Sequence, residues 1–221
     1  MHRHVWKMMD FLKSRPNVVE YFAVNSNLVA KPALFDRFLV EAKEIKGFHL
    51  YTSAESCNSQ AEYIRDGMDW NIWKTNLIRA IDTKYFDGVN VMCTISALAL
   101  EGLTGFLQFL VEMKKTNREK MPQFSLNILR FPNFRSPLVL PLVLRKKFSS
   151  QLEDFMKNNQ QHLNEMETGN CKRLVSYLNQ EDTIHQHLDK NFKNYFKQYD
   201  KRRGKNFEKT FPIIGEWYRG I

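Results

Sequence analysis

The densest run of reactive side chains lies over residues 51–76, YTSAESCNSQAEYIRDGMDWNIWKTN. Glu55 and Glu62 are carboxylates that could move protons, although Glu62 fits a helix face as simply. Cys57 stands beside Ser56 and could serve as a nucleophile; no histidine is near it in sequence, so a bystander thiol is the simpler reading. Arg65 carries a planar fork of donors that suits a carboxylate. Read on its spacing alone, it pairs more simply with Glu62, three residues earlier on one helix surface. His2 and His4, like His185 and His187, are spaced by two. That spacing does not put both rings on one helix face, which argues against a metal pair. The three cysteines, Cys57, Cys93 and Cys171, are too few and too scattered for a disulfide scaffold. They also fall short of the four thiolates of a structural zinc or an iron–sulfur cluster. The nine glycines do not cluster into a phosphate-binding or dinucleotide-binding loop.

These residues need elements to position them. A helix is predicted over 5–13, stopped by Arg15-Pro16-Asn17. The β-branched and aromatic run 18–24 predicts a buried strand, followed by the polar turn Asn25-Ser26-Asn27. A helix over 33–45 follows Pro32. A strand is predicted over 48–52, then helices over 60–66 and 70–84 split by Gly67. A third strand over 89–95, a long helix over 97–115 and a fourth strand over 124–131 complete the alternation. Strands separated by helices predict a parallel α/β sheet, with functional groups at the strands' carboxyl ends. Those ends are 25–27, 53–56, 94–96 and 130–132. All carry polar residues, which could build a site or merely cap helices.

Past Pro141 the chain turns helical, polar and basic over 144–159, 164–179 and 183–199. Aromatics return at Phe207, Phe211, Trp217 and Tyr218, which predicts a tail packed on the main body. The expected division is a core at 1–141 and a basic helical extension at 142–221. The 221 residues are 43% apolar and 26% charged, with 17 phenylalanines, a mixture that excludes disorder and supports a substantial core. No run of about 18 apolar residues exists, so no membrane-spanning helix is expected. The first residues lack the apolar segment of a signal peptide, so a cytoplasmic, reducing location is expected. The net charge is +9 and lies wholly in the second half. Residues 1–110 hold twelve Lys/Arg and twelve Asp/Glu, whereas 111–221 hold 21 and twelve. The tract 193–209 is densest, either a solvated helix face and tail or a surface for phosphate or nucleic acid.

The order strand, Ser-x-Glu, Glu-Tyr-Ile-Arg-x-Gly, Trp-x-x-Asn over 51–76 resembles the radical S-adenosylmethionine (radical SAM) enzymes. NVMCTISAL at 90–98 and SLNILRFPNFRSPLVLP at 125–141 extend the likeness, which covers roughly 1–141. Asn25-Ser26-Asn27 is similar to the Thr-Asn-Gly closing the family's third strand, and Ser53-Ala54-Glu55 to the Ser-x-Asp/Glu after its fourth. The resemblance implies a partial TIM-type (βα) barrel, about four of whose parallel strands, the third to sixth, are present. The family's Cys-x-x-x-Cys-x-x-Cys and Gly-Gly-Glu motifs, which belong to its first two strands, do not occur in this sequence. The expectation is therefore an amino-terminally truncated core, inactive alone; an upstream reading frame encoding both motifs would decide it.

In the whole family member, a four-iron four-sulfur (4Fe-4S) cluster passes one electron to S-adenosylmethionine. The resulting deoxyadenosyl radical abstracts hydrogen from the substrate. By position, the resemblance implies that Ser53 and Arg65 hold the methionine carboxylate and that Glu55 accepts from an amine or ribose hydroxyl. Asn90 and Thr94 would face the ligand from inside the barrel, Leu129 and Phe131 would line the adenine, and Asn25 is also implied as cofactor-binding. The implied cofactors are S-adenosylmethionine and the 4Fe-4S cluster, whose ligands are not in this chain. The implied partners are an unidentified substrate and a donor such as flavodoxin or ferredoxin, with no membrane and no nucleic acid. The competing expectation is a non-catalytic basic α/β module that binds nucleic acid or another protein, motivated by the charge asymmetry and the aromatics at 192–211.

Overall fold

A computed structural model describes residues 3–16, 18–117, 121–181 and 187–221. Four strands, β1 (Phe22–Asn25), β2 (Phe48–Ser53), β3 (Gly88–Ile95) and β4 (Gln123–Ile128), form one parallel sheet in chain order. Helices α1 (Arg3–Ser14), α2 (Pro32–Ala42), α3 (Asn58–Ile64), α4 (Trp70–Asp82) and α5 (Ala99–Asn117) alternate with them. The expected α/β alternation is present. Among the described residues, no helix is long and apolar enough to cross a membrane.

Strand alternation splits the sheet into two unlike faces. Leu50, Val89, Val91, Cys93, Phe124 and Leu126 are buried and meet helices, with Phe38 of α2 wedged against Phe48 and Phe86. Thr52 is the polar member of this face, and its hydroxyl accepts from the buried Trp73 indole of α4 at 2.9 Å. The opposite face is polar. The register aligns Asn25, Tyr51, Asn90 and Gln123 in one row across all four strands. Ser53, Met92 and Ser125 form the next row, and Thr94 lies opposite Asn127.

The first strand is shorter than its composition suggests. Val18, Val19 and Tyr21 are exposed and lie outside the strand pairing, because β2 offers partners only from Phe48, opposite Phe22. The chain enters β2 through Gly47 at φ +65, where a Cβ would sit 2.2 Å from the Glu20 carbonyl oxygen. Only glycine tolerates that approach. At the far end Leu129 still donates to the Ile95 carbonyl, but 129–131 leave the sheet.

The carboxyl-terminal helices are α6 (Leu142–Asn158), α7 (Glu165–Leu178), α8 (Leu188–Arg203), α9 (Phe207–Thr210) and α10 (Pro212–Gly220). The start of the expected helix at 183 lies outside the described residues, as do His2 and His185. Helix α7 opens with a capping box between Asn164 and Glu167. It then lays three side chains along the free edge of β4. Glu167 accepts from the Phe124 N–H, Asn170 accepts from the Leu126 N–H, and Arg173 donates to the Leu126 carbonyl. Covering an edge in this way satisfies backbone groups that would otherwise template association. Helices α8–α10 dock through Phe196, Phe207 and Phe211 against Tyr63 of α3, with Phe192 packed behind Phe207. The extension and the sheet thus share one apolar core.

Candidate functional site

The loop after β2 is packed inside the protein: Ala54, Glu55 and Ser56 are all buried. It can be so because α5 presents Gly102 to it, where a Cβ would lie 1.9 Å from Ser56 Oγ. Burying Glu55, only 1% exposed, requires partners for its charge. Arg65, the residue that ends α3, supplies its fork. Its Nε donates to Oε2 at 2.8 Å and its Nη2 to Oε1, which also accepts from the Thr94 N–H of β3 at 3.0 Å. The partner of Arg65 is therefore Glu55 and not Glu62, whose carboxylate accepts from the Trp70 N–H at 3.0 Å.

Two clefts flank Arg65 at the carboxyl end of the sheet. One, of about 260 Å³, is lined by Glu55, Arg65, Thr94, Ser96, Leu129 and Arg135 among others. The other, of about 160 Å³, is lined by Asn27, Ser53, Arg65, Asp66 and Gly67. Five of the eight sequence-named residues, Ser53, Glu55, Arg65, Thr94 and Leu129, thus converge. Asn25 lies beside them at the end of β1, in a groove of about 710 Å³ with Ser26, Asn27 and Lys31. Asn90 is on the same polar face but lower, in the row with Tyr51 and Gln123. Phe131 lines neither cleft and is 82% exposed, so it walls nothing within this chain.

Two contributors, Arg135 and Tyr195, escaped sequence reading, and Ser96 was read only as part of a polar strand end. Ser96 and Arg135 belong to the larger cleft, and Tyr195 of α8 lies under the Arg135 guanidinium at 5.6 Å. Helix α8 braces both cleft walls. On the other side, its Tyr199 donates to the Tyr63 carbonyl and its Asp200 accepts from the Tyr63 hydroxyl at 2.7 Å, holding the helix that ends at Arg65. Part of the basic excess is paired here. Lys205 and Arg203 pair with Asp66, and the Lys205 hydrogen bond holds that carboxyl below its ordinary pKa.

The thiols carry no sign of activation. Burial pushes Cys57 up to about 11 and Cys171 up to about 12, and raises Cys93 as well. Among the described residues, no group of three His, Cys, Asp or Glu could hold a metal ion. With its pKa raised from 9.0 to about 11, Cys57 should hold roughly a hundredfold less thiolate at pH 8 than an ordinary cysteine. Iodoacetamide should therefore alkylate it correspondingly slowly in the folded chain. Alkylation as fast as that of free cysteine would restore Cys57 as a candidate nucleophile. Comparison with protein-family models, curated proteins and solved structures found no match to this chain.

Proposed function

We propose that this chain is the later part of a radical SAM enzyme core, a section of a (βα) barrel whose polar sheet face is the ligand side. One arrangement carries the reading. The strands run parallel in chain order without reversal, helices close one face, and the other face presents polar rows that end at Ser53, Glu55, Arg65 and Thr94. A doubly wound sheet would reverse its strand order and carry helices on both faces. In a barrel the uncovered face is the interior, and the carboxyl ends of the strands hold the ligand.

The two implied cofactors fit this chain differently. The described residues offer no ligand set for a 4Fe-4S cluster: Cys57 precedes α3, Cys93 is in β3 and Cys171 is in α7. No electron-transfer step is therefore assigned to them. The two polar clefts that share Arg65 support a place for S-adenosylmethionine spanning both. Its carboxylate would lie between Ser53 and Arg65 and its adenine beside Leu129, with Thr94 and Asn90 facing the sugar side. Because the Nε N–H and one Nη2 N–H of Arg65 are committed to Glu55, the second Nη2 N–H and the two Nη1 N–H groups are the donors left for the carboxylate. When bound, S-adenosylmethionine supplies the hydrogen-abstracting chemistry; these residues bind it, orient it and screen it from water.

Calorimetric titration of the chain with S-adenosylmethionine tests this. Weak, saturable binding is expected, reduced about tenfold by Arg65→Ala, the scale of one hydrogen bond to a charged group. Ser53→Ala, which leaves the Glu55–Arg65 pair intact, should weaken it by a few-fold. Equal binding by wild type and both variants would reject the assignment.

One observation favours a second reading, a basic module for nucleic acid. Helix α8 leaves Lys190, Lys197, Lys201 and Arg202 exposed. Contacts made only to phosphates lose affinity steeply with salt, through counterion release. Any complex in a low-salt gel shift should vanish by about 0.15 M salt, where exposed charges are screened beyond roughly 8 Å. A complex that survives and discriminates between oligonucleotides would place the α8 surface ahead of the cleft.

A further inference from the structure

The cleft of about 260 Å³ contains polar groups that the fold itself does not use. Ser96 is 4% exposed, yet among the described residues its hydroxyl has no hydrogen-bond partner. Its backbone is spent elsewhere: the N–H donates to the Thr94 carbonyl, and the carbonyl accepts from the Ala99 N–H at the start of α5. Arg135 sits in the short 3-10 turn Asn133–Arg135. Its Nε is buried and likewise has no hydrogen-bond partner among the described residues. Among the described residues the guanidinium meets only the Tyr195 ring, and no carboxylate lies within ion-pair distance of it.

Three charged side chains line this cleft, Glu55, Arg65 and Arg135. Glu55 and Arg65 neutralise each other. One positive charge, on Arg135, remains uncompensated. Burying an unpaired hydroxyl and an unpaired guanidinium N–H is unfavourable unless a ligand supplies the missing acceptor. The ring beneath Arg135 holds the guanidinium plane without consuming its in-plane donors.

We infer that Arg135 and Ser96 form a carboxylate-binding subsite, and hence that the substrate bears a carboxylate. Planar bidentate donation by Arg135 matches a carboxylate, the Ser96 hydroxyl adds a third donor, and a single surplus positive charge matches a monoanion. The carboxylate site itself stands on these groups alone. Assigning its occupant to the substrate rests on the reading of this cleft as the ligand side of a radical SAM core, where the S-adenosylmethionine carboxylate belongs on the Ser53 side of Arg65.

The test is NMR titration of the ¹⁵N-labelled full chain with sodium acetate and, separately, with inorganic phosphate, at constant ionic strength set by chloride. The Arg135 Nε–H signal should shift saturably with acetate. Arg135→Met should weaken that binding by about tenfold or more, as expected for lost charge-assisted bonds. Ser96→Ala should weaken it by a few-fold while leaving the melting temperature unchanged or higher, since its hydroxyl makes no bond in the free protein. A non-saturating shift, or an unaltered affinity in both variants, would overturn the site. Phosphate binding about tenfold tighter than acetate would overturn its assignment to a carboxylate. Saturating S-adenosylmethionine should leave acetate binding intact. Competition between them would overturn the assignment to the substrate, whereas failure of S-adenosylmethionine to bind while acetate does would reject the cofactor reading and keep the subsite.

Discussion

A Lys114→Met variant should unfold about 3–5 kcal/mol more easily than the wild type, the cost of leaving one member of a buried ion pair alone. Lys114 of α5 meets Glu167 of α7, whose side chain is fully buried. The substitution keeps the apolar stem and removes only the charge that balances Glu167. For a chain of this size the melting temperature should fall by roughly 10 °C. A buried ion pair replaced by apolar residues on both sides often recovers its stability, but here the double variant Lys114→Met/Glu167→Leu should not. Glu167 also accepts from the Phe124 N–H at 3.0 Å and the Asn164 N–H at 3.0 Å, so its loss orphans a donor at the sheet edge and another at the α7 cap. Urea unfolding of the single and double variants measures both effects. Full recovery in the double variant would show that α7 does not hold the edge of β4 through Glu167.

The second large effect concerns the site. A double-mutant cycle with Glu55→Gln and Arg65→Met should return a coupling energy of about 2–3 kcal/mol. Glutamine keeps the shape and an acceptor for the Thr94 N–H, so the cycle isolates the charge pair. The expected value sits below that of a fully buried pair because the Arg65 side chain remains 33% exposed and water screens part of the attraction. It exceeds the roughly 0.2–1 kcal/mol of surface pairs because Glu55 is enclosed and both interacting Arg65 nitrogens are directed at it. A coupling below about 1 kcal/mol would reduce this pair to a surface contact and remove the electrostatic argument for the cleft.

The parallel sheet was legible because its strands are short runs of β-branched and aromatic residues between helices, one of which begins at the readable signal Pro32. Strand limits were not. Val18 and Val19 have strand composition, but pairing starts only where β2 provides a partner, a tertiary condition that local pattern does not contain. Glu55 and Arg65 were each visible as chemistry, and their partnership was not. Helical spacing favoured Glu62 for Arg65, whereas the folded loop delivers Glu55 from the end of a strand. Ser96 directly follows β3 and Arg135 lies in the short turn beyond β4, and the two become neighbours only in the fold, where the Ala97 N–H donates to the Arg135 carbonyl at 2.9 Å. The polar extension also concealed a function in the fold. Glu167, Asn170 and Arg173, spaced by three, form a line on α7 that reads as a solvated face until β4 is placed beneath it.

The most direct measurement of the central claim is a crystal structure of this chain grown with millimolar S-adenosylmethionine. The account predicts ligand density on the polar sheet face, with the methionyl carboxylate between Ser53 and the Arg65 guanidinium and the adenine beside Leu129. Density placed elsewhere, or a polar face with no ligand when calorimetry shows the protein saturated, would contradict it.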